Sequence, residues 1–211
     1  MNITLNYLFD PLCGWCYGIS PAFSALANAS EQVHIKLLPT GLFSGAGSRA
    51  MNEEFAAFAW SNDQRIASLT GQPFSEQYRH RVLADHQQRF DSSLPTIVLT
   101  AVALTQPEKE LEMLKAIQKL RYVEGRNVTD RATLEQALHT LGLSDAVALL
   151  DSPELHKANQ QRLEQAQNLM QEFAARGVPS LIAESKGRRV QLSTADFYAD
   201  SQALLRQLKA L

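Results

Sequence analysis

The stretch of sequence that decides the fold lies near the start of the chain. Residues 7–18 read Tyr7-Leu8-Phe9-Asp10-Pro11-Leu12-Cys13-Gly14-Trp15-Cys16-Tyr17-Gly18. Cys13 and Cys16 are the only two cysteines among the 211 residues. A secreted scaffold held together by disulfides would have more cysteines at wider spacings. A close pair in a reducing compartment is typical of a catalytic, redox-sensing or metal-binding site.

The residues on either side of the pair predict a βαβ unit. Residues 3–9 alternate and are rich in Ile, Leu, Tyr and Phe, which predicts a strand. Residues 14–29 have apolar side chains at helical spacing, with Pro21 as a kink, and residues 33–37 alternate again. Strands in this order are parallel and are joined by a right-handed crossover. The cysteine pair therefore lies where the first strand passes into the helix.

Residues 49–151 predict a helical block, because nearly every apolar pattern in this part of the chain has helical spacing. The patterns lie at residues 55–60, 97–104, 111–123 and 134–141. A long helix then opens at Ser152 and Pro153 and ends at Gly177.

Two strands and a last helix complete the prediction. Residues 180–183 and 189–192 are joined by the short Lys186-Gly187 turn, which indicates an antiparallel hairpin. Ser193 and Asp196 predict a capping pair for the final helix. Without the helical block, the elements follow the order βαβ-α-ββα, which is the order of the thioredoxin fold.

The predicted fold class is therefore α/β, a thioredoxin-like fold with a large α-helical insertion domain. We expect residues 1–45 and 150–211 to form the thioredoxin-like domain and residues 46–149 to form the insertion domain.

Composition argues against several classes of protein. The formal net charge is -2 without a long run of one sign, whereas a nucleic-acid-binding protein needs a basic face. No segment approaches the roughly 20 apolar residues of a membrane helix. The first residues lack the basic start and apolar run of a signal peptide. We expect a cytoplasmic protein with no nucleic-acid or membrane partner, and the sequence carries no signal for an oligomeric state.

The spacing of the cysteines suits thiol–disulfide exchange, which needs one thiolate that attacks and a second thiol that resolves the mixed disulfide. Two intervening residues place both sulfur atoms on the first turn of a helix, where the helix dipole favours an anion. We expect Cys13 to be the nucleophile and Cys16 the resolving thiol. A zinc site would need further ligands, and the five histidines offer no ligand spacing beyond the six-apart His80 and His86. We predict no metal site; an inert cysteine pair is the other alternative.

Trp15 and Asp10 each have two interpretations. Trp15 either packs the loop or forms an apolar platform for a peptide or thiol substrate. Because it carries no charge, it cannot stabilise the thiolate as a protonated histidine would, which predicts a mild oxidant or a reductant. Asp10, followed by Pro11, either caps the helix that carries Cys13 or is a buried proton-transfer acid, and the favoured interpretation is the cap.

Val178 and Pro179 form a second candidate site. Pro179 follows a helix-ending Gly177 and could simply stop the helix. In the thioredoxin outline, however, this loop faces the cysteine pair. A cis peptide bond there would expose the Val178 backbone for β-type pairing with a substrate chain.

Residues 7–18 resemble the active-site segment of DsbA-type thiol–disulfide oxidoreductases, and they are most similar to the cytoplasmic branch of predicted protein-disulfide isomerases. Residues 177–180 resemble the cis-Pro loop of that family, and the helical block is similar to its insertion. Gly14 and Trp15 stand where DsbA itself has Pro-His. The resemblance implies catalysis by Cys13 and Cys16, substrate binding by Trp15, Val178 and Pro179, and supporting roles for Asp10, Pro11 and Gly14. It also implies disulfide exchange with glutathione or protein thiols, with glutathione as a possible co-substrate and no tightly bound cofactor.

Two other functions stay open. A kappa-like glutathione transferase or isomerase would use a single activated Ser or Cys, so the intact pair of Cys13 and Cys16 argues against it. A non-enzymatic redox sensor or binding module would use the helical block as a peptide groove and would show little turnover.

Overall fold

The computed structural model describes residues 3–29 and 33–211. The strands are β1 (Ile3–Phe9), β2 (Val33–Pro39), β3 (Arg49–Ala50), β4 (Arg89–Phe90), β5 (Ser180–Ser185) and β6 (Arg188–Leu192). The helices are α1 (Gly14–Gly18), α2 (Ser20–Ala29), α3 (Glu53–Thr70), α4 (Glu76–Tyr78), α5 (Ser93–Thr105), α6 (Glu110–Tyr122), α7 (Arg131–Thr140), α8 (Ser144–Leu149), α9 (Pro153–Glu172) and α10 (Ala203–Lys209). A π-helical turn (Arg79–Leu83) continues α4. Within these ranges no helix has the length and apolar character needed to cross a membrane.

A mixed four-stranded sheet with the order β2-β1-β5-β6 forms the centre of the fold. Strand β1 runs parallel to β2 and antiparallel to β5, and β5 pairs with β6 as the predicted hairpin. The register pairs Leu8 with Ser180. Since Pro179 precedes Ser180 and Cys13 follows shortly after β1, this register brings the Pro179 loop and the cysteine pair to one end of the sheet. The predicted thioredoxin-like α/β fold class is confirmed.

Strand β1 is held between two apolar layers, because successive side chains of a strand point to opposite faces of the sheet. Leu5, Tyr7 and Phe9 belong to the large buried cluster that continues into α1, α2, α10 and the helical block. Leu8 belongs to a second cluster, which covers the other face with Ile182 and residues of α9. The strand that leads into the cysteines is therefore fixed from both sides.

The segment predicted as one helix over residues 14–29 consists of two helices. Helix α1 ends at Gly18, and α2 begins at Ser20. The helix is interrupted just before Pro21, at the place of the predicted kink, because a proline has no backbone N–H to continue the hydrogen-bond pattern. Pro21 lies in the first turn of α2, and the Tyr17 carbonyl, which Pro21 cannot satisfy, accepts a hydrogen bond from the Gln72 side-chain amide at 3.3 Å.

The helical block contains the predicted helices together with elements that the sequence analysis missed. Helices α5, α6 and α7 lie where the apolar patterns predict them, whereas the expected short segment at residues 55–60 is part of the 18-residue α3. Asn52 caps α3 by accepting the Phe55 N–H at 2.8 Å. Strands β3 and β4 pair as a two-residue ribbon, which is too short to give a periodic pattern.

Two predictions near the C-terminus are wrong. Helix α9 ends at Glu172 and not at Gly177, because Ala174 adopts a left-handed backbone conformation with φ of 48°. Ser193 and Asp196 do not cap a helix. The chain first forms a 3₁₀ turn (Ala195–Phe197) without a side-chain cap, and α10 begins only at Ala203.

Candidate active site

The two cysteines lie at the start of α1 as free thiols. Pro11 lies in the buried turn before Cys13, and Gly14 is the first residue of the helix. Cys13 caps α1: its sulfur accepts a hydrogen bond from the Cys16 backbone N–H at 3.4 Å. Cys13 is 7% exposed and Cys16 only 1%. Cys13 is therefore the more accessible of the two sulfur atoms.

The Pro179 loop lies directly against Cys13. The Val178–Pro179 peptide bond is cis. The Cys13 thiol donates to the Val178 carbonyl oxygen over 3.6 Å, which is a hydrogen-bond distance for sulfur. Ser180 steadies the loop by donating its hydroxyl to the Gly177 carbonyl at 2.7 Å. The partly exposed Val178 thus has its backbone carbonyl beside the Cys13 sulfur atom.

Cys16 is held in its protonated form. Burial raises the pKa of the Cys16 thiol well above its usual value, and the neighbouring Cys13 raises it further. The buried Tyr7 donates its hydroxyl to the Cys16 carbonyl oxygen at 3.2 Å and fixes this turn of α1 from below. A thiol that keeps its proton is a weak nucleophile, which leaves Cys13 as the candidate for attack on an incoming disulfide.

Asp10 does not cap α1, so the favoured interpretation of this residue is wrong. Cys13 takes the capping position, while Asp10 is completely buried and accepts hydrogen bonds from the Leu12 N–H, the Phe43 N–H and the Ser92 hydroxyl at 2.9, 3.0 and 2.7 Å. Burial raises the pKa of Asp10, against the opposing effect of these hydrogen bonds. Asp10 therefore ties the turn before the cysteines to the start of α5.

Trp15 packs against a neighbouring aromatic ring and also lines a cleft beside Cys13. One side of the ring packs edge-to-face against Tyr198, with ring centroids 5.0 Å apart. Trp15 also lines an open cleft of about 350 Å³ beside Cys13. The opposite wall of the cleft is largely aromatic and includes Phe43, Phe55 and Phe58. Phe58 is 63% exposed, so an apolar surface continues from the cysteine outward.

The helical block adds a buried polar group that the sequence analysis missed. The Asp63 Oδ2 atom accepts the Tyr78 hydroxyl at 2.9 Å. The Oδ1 atom lies only 2.5 Å from the position that a Cβ atom on Gly14 would occupy. Burial raises the pKa of Asp63 to about 7, although Tyr78 and the charge of Arg121 oppose the shift.

A signal for Asp63 exists in the sequence. Phe55, Ala59, Asp63 and Ile66 follow one another at helical spacing, so Asp63 interrupts an apolar stripe. A carboxyl group on the buried face of a helix is a candidate for a functional role. Among the described residues, no group of three or more His, Cys, Asp and Glu side chains could hold a metal ion.

Comparison with known proteins agrees with this geometry. The sequence profile of the DSBA-like thioredoxin domain matches residues 4–206. The chain belongs to this family. It is therefore a protein-disulfide oxidoreductase, in which a helical block is inserted between β2 and β5 of the thioredoxin fold.

Solved structures of this family include proteins that are similar over the whole chain. Two structures of the cytosolic disulfide reductase DsbM from Pseudomonas aeruginosa, one of them with GSH, are 31% and 30% identical, with TM-scores of 0.84 and 0.83. Both cover 99% of this chain and 100% of their own. A proposed protein disulfide isomerase from Nitrosomonas europaea, 23% identical with a TM-score of 0.78 and 99% coverage of both chains, shares the fold. No curated protein matches the sequence.

We expect Gly14→Ala to destabilise the protein, because the new Cβ would lie 2.5 Å from Asp63 Oδ1 and 3.1 Å from Ile66 Cδ1. Overpacking of this kind costs about 1–3 kcal/mol. Urea unfolding at pH 7 measures the loss. Gly177→Ala is the matched control, since nothing lies within 4 Å of its Cβ position, and we expect it to be neutral. Equal stability of the two variants would show that α3 does not pack tightly on the cysteine segment.

Proposed function

We propose that this protein is a cytoplasmic disulfide reductase, which uses Cys13 and Cys16 for exchange and glutathione as its source of electrons. The observation that carries the proposal is the position of the Cys13 sulfur, which lies between the Cys16 N–H and the carbonyl oxygen of the Pro179 loop. The likeness to DsbM, a cytosolic disulfide reductase with a structure that contains GSH, supports both the direction and the electron donor.

The first step forms a mixed disulfide. The Cys13 thiolate attacks one sulfur of the substrate disulfide, a new bond forms between that sulfur and Cys13, and the other substrate sulfur leaves as a thiolate that takes up a proton. Hydrogen bonding to the Cys16 N–H orients the attacking sulfur. A substrate chain can pair with the backbone at Val178, which would align its sulfur with Cys13.

The second step releases the substrate. Cys16 gives up its proton and attacks the Cys13 sulfur, so the bond between Cys13 and the substrate breaks and the substrate leaves as its second thiol. The protein now holds a Cys13–Cys16 disulfide. One glutathione thiolate attacks Cys13 and forms a mixed disulfide, and a second glutathione attacks the glutathione sulfur. The products are oxidised glutathione and the two free cysteines.

The cleft beside Cys13 supports a substrate with an apolar group near its disulfide. Trp15 and the aromatic side chains opposite offer an apolar surface, and Phe58 extends this surface outward. We infer that Trp15 contacts the substrate here, while Pro179 shapes the other edge of the site. Asp10, Pro11 and Gly14 support the cysteine segment without contacting the substrate.

Cys16→Ala is expected to stop the reaction at the mixed disulfide. With oxidised glutathione, this variant should accumulate one glutathione per chain on Cys13, because the protein then has no second thiol that could displace the bound glutathione. Intact-mass measurement and peptide mapping identify the adduct. Wild-type protein should show almost none, since Cys16 resolves the adduct by forming the intramolecular disulfide.

A Cys13→Ala/Cys16→Ala protein serves as the control and should carry no adduct. Absence of the adduct on Cys16→Ala would contradict Cys13 as the nucleophile. Full turnover by Cys16→Ala with glutathione would favour a kappa-like enzyme with a single reactive residue. Adducts with protein thiols but none with glutathione would overturn glutathione as the electron donor.

A further inference from the structure

Asp63 lies beside the cysteine segment but takes no part in the exchange steps described above. We propose that Asp63 is a positioning residue of the redox centre, whose carboxylate charge disfavours the Cys13 thiolate and thereby makes the Cys13–Cys16 pair a stronger reductant. The proposal rests on the assignment of these two cysteines as the redox pair, and it does not depend on glutathione as the electron donor.

The position of Asp63 is set by the contact between α3 and α1. Its Oδ1 atom fills the space that a side chain at position 14 would need. The carboxyl group therefore packs directly against Gly14, the residue that follows Cys13. Asp63 is 6% exposed and lines the same cleft as Cys13. Because both residues are almost fully buried, a charge on one is screened from the other less than it would be at the protein surface.

The charged and titratable groups around Asp63 cannot fully neutralise it. Tyr78 supplies one hydrogen bond to Oδ2. Arg121 is 3% exposed and lies over the rings of Tyr78 and Tyr122, at 5.3 and 5.7 Å from their centroids. Its positive charge acts on both Asp63 and Asp10. One buried cation thus faces two buried carboxyl groups, and a thiolate on Cys13 would add a third negative charge.

The surplus negative charge has a direct effect on the redox equilibrium. In the reduced protein Cys13 can carry a charge, whereas the Cys13–Cys16 disulfide carries none. A carboxylate beside Cys13 therefore raises the free energy of the reduced form only. When the pair passes two electrons to a substrate disulfide, which takes up the Cys16 proton and a second proton from solvent to become two thiols, this repulsion disappears. Because burial raises the pKa of Asp63 to about 7, the effect should grow as the pH rises through neutrality.

Asp63→Asn tests the proposal. The amide has the same shape, can still accept the Tyr78 hydroxyl and avoids a buried charge, so we expect the variant to fold. Its equilibrium constant with dithiothreitol at pH 8 should shift about tenfold towards the reduced protein, which corresponds to a reduction potential about 30 mV less negative.

Two further variants separate this role from a structural one. Asp145→Asn makes the same chemical change at an exposed site in α8 and should leave the equilibrium constant unchanged. Tyr78→Phe keeps the Asp63 charge but removes its hydrogen bond. The Asp63 pKa should then rise, and the bend that Asp63 causes in the pH dependence of the equilibrium constant should move to higher pH.

An equilibrium constant for Asp63→Asn equal to that of the wild type at pH 8 would overturn the proposal. So would a Tyr78→Phe protein with an unshifted pH dependence, which decides the matter if Asp63→Asn does not fold. Because dithiothreitol replaces glutathione, a wild-type protein that forms no Cys13–Cys16 disulfide would contradict the proposed function itself. An unchanged potential in Asp63→Asn would contradict only the tuning by Asp63.

Discussion

Cys13→Ser is expected to lower the rate of disulfide reduction at least about a thousandfold, the scale on which removal of a nucleophile acts. A serine hydroxyl is not ionised near neutral pH and cannot form the mixed disulfide. It is close to the thiol in size and can keep both hydrogen bonds, to the Cys16 N–H and the Val178 carbonyl. The loss should therefore lie in the chemistry and not in the fold. Reduction of insulin disulfides with glutathione present measures the rate, and thermal unfolding checks the structure.

Cys16→Ser is the matched control for this prediction. It changes the same atom one turn further along α1, but it leaves the outer thiol in place. We expect this variant to retain a single round of attack on a disulfide, whereas Cys13→Ser should show none. A Cys13→Ser protein that still forms a mixed disulfide would show that Cys16, although buried and protonated, is the attacking group.

Local sequence patterns are enough to predict the cysteine pair and the Pro179 loop. Cys13 and Cys16 fall between a strand and a helix, and the order of the elements alone places Pro179 at the same end of the sheet. These predictions use only short-range periodicity and the handedness of a βαβ crossover. The match of residues 4–206 to the DSBA-like thioredoxin domain bears out the resulting fold.

The parts that the sequence analysis missed depend on contacts between distant segments. Asp10 has the local pattern of a helix cap, but its hydrogen bonds to Phe43 and Ser92 come from the loop after β2 and the start of α5. Asp63 lies against Gly14, beside Cys13, only because α3 packs on the cysteine segment. Neither partner can be read from a sequence window. In both cases the contacts of the carboxyl group depend on tertiary packing and not on the local sequence pattern around it.

The same principle applies to Arg162, which connects the helical block to the sheet. Its guanidinium donates to the Thr100 hydroxyl in α5 at 2.9 Å, to the Leu37 carbonyl in β2 at 2.8 Å, and to the Glu110 carboxylate in α6. The side chains of Arg162 and Glu110 are only 16% and 7% exposed. One side chain from α9 thus satisfies buried polar groups on three other elements.

Arg162→Met is therefore expected to cost about 3–5 kcal/mol, because removal of one partner leaves a buried charge without compensation. For a chain of this length the melting temperature should fall by roughly 10 °C. Thermal and urea unfolding at pH 7.5 measure the loss. Arg131→Met is the matched control: Arg131 pairs with Asp151 and Glu135 on the surface, and exposed ion pairs contribute little. We expect its melting temperature to stay close to that of the wild type.

The pH dependence of this loss identifies its cause. Burial raises the pKa of Glu110 from the usual 4.5 to about 7 even with Arg162 beside it, and loss of the guanidinium would raise the pKa further. A carboxyl group whose pKa is raised in the folded state stabilises the fold below its unfolded pKa, and this contribution is lost as the pH rises through the folded pKa. At pH 5 Glu110 in Arg162→Met should be protonated, so the variant should lose less stability than at pH 7.5. An equal loss at both pH values would contradict the ion pair as the cause and would point to the Thr100 and Leu37 hydrogen bonds instead.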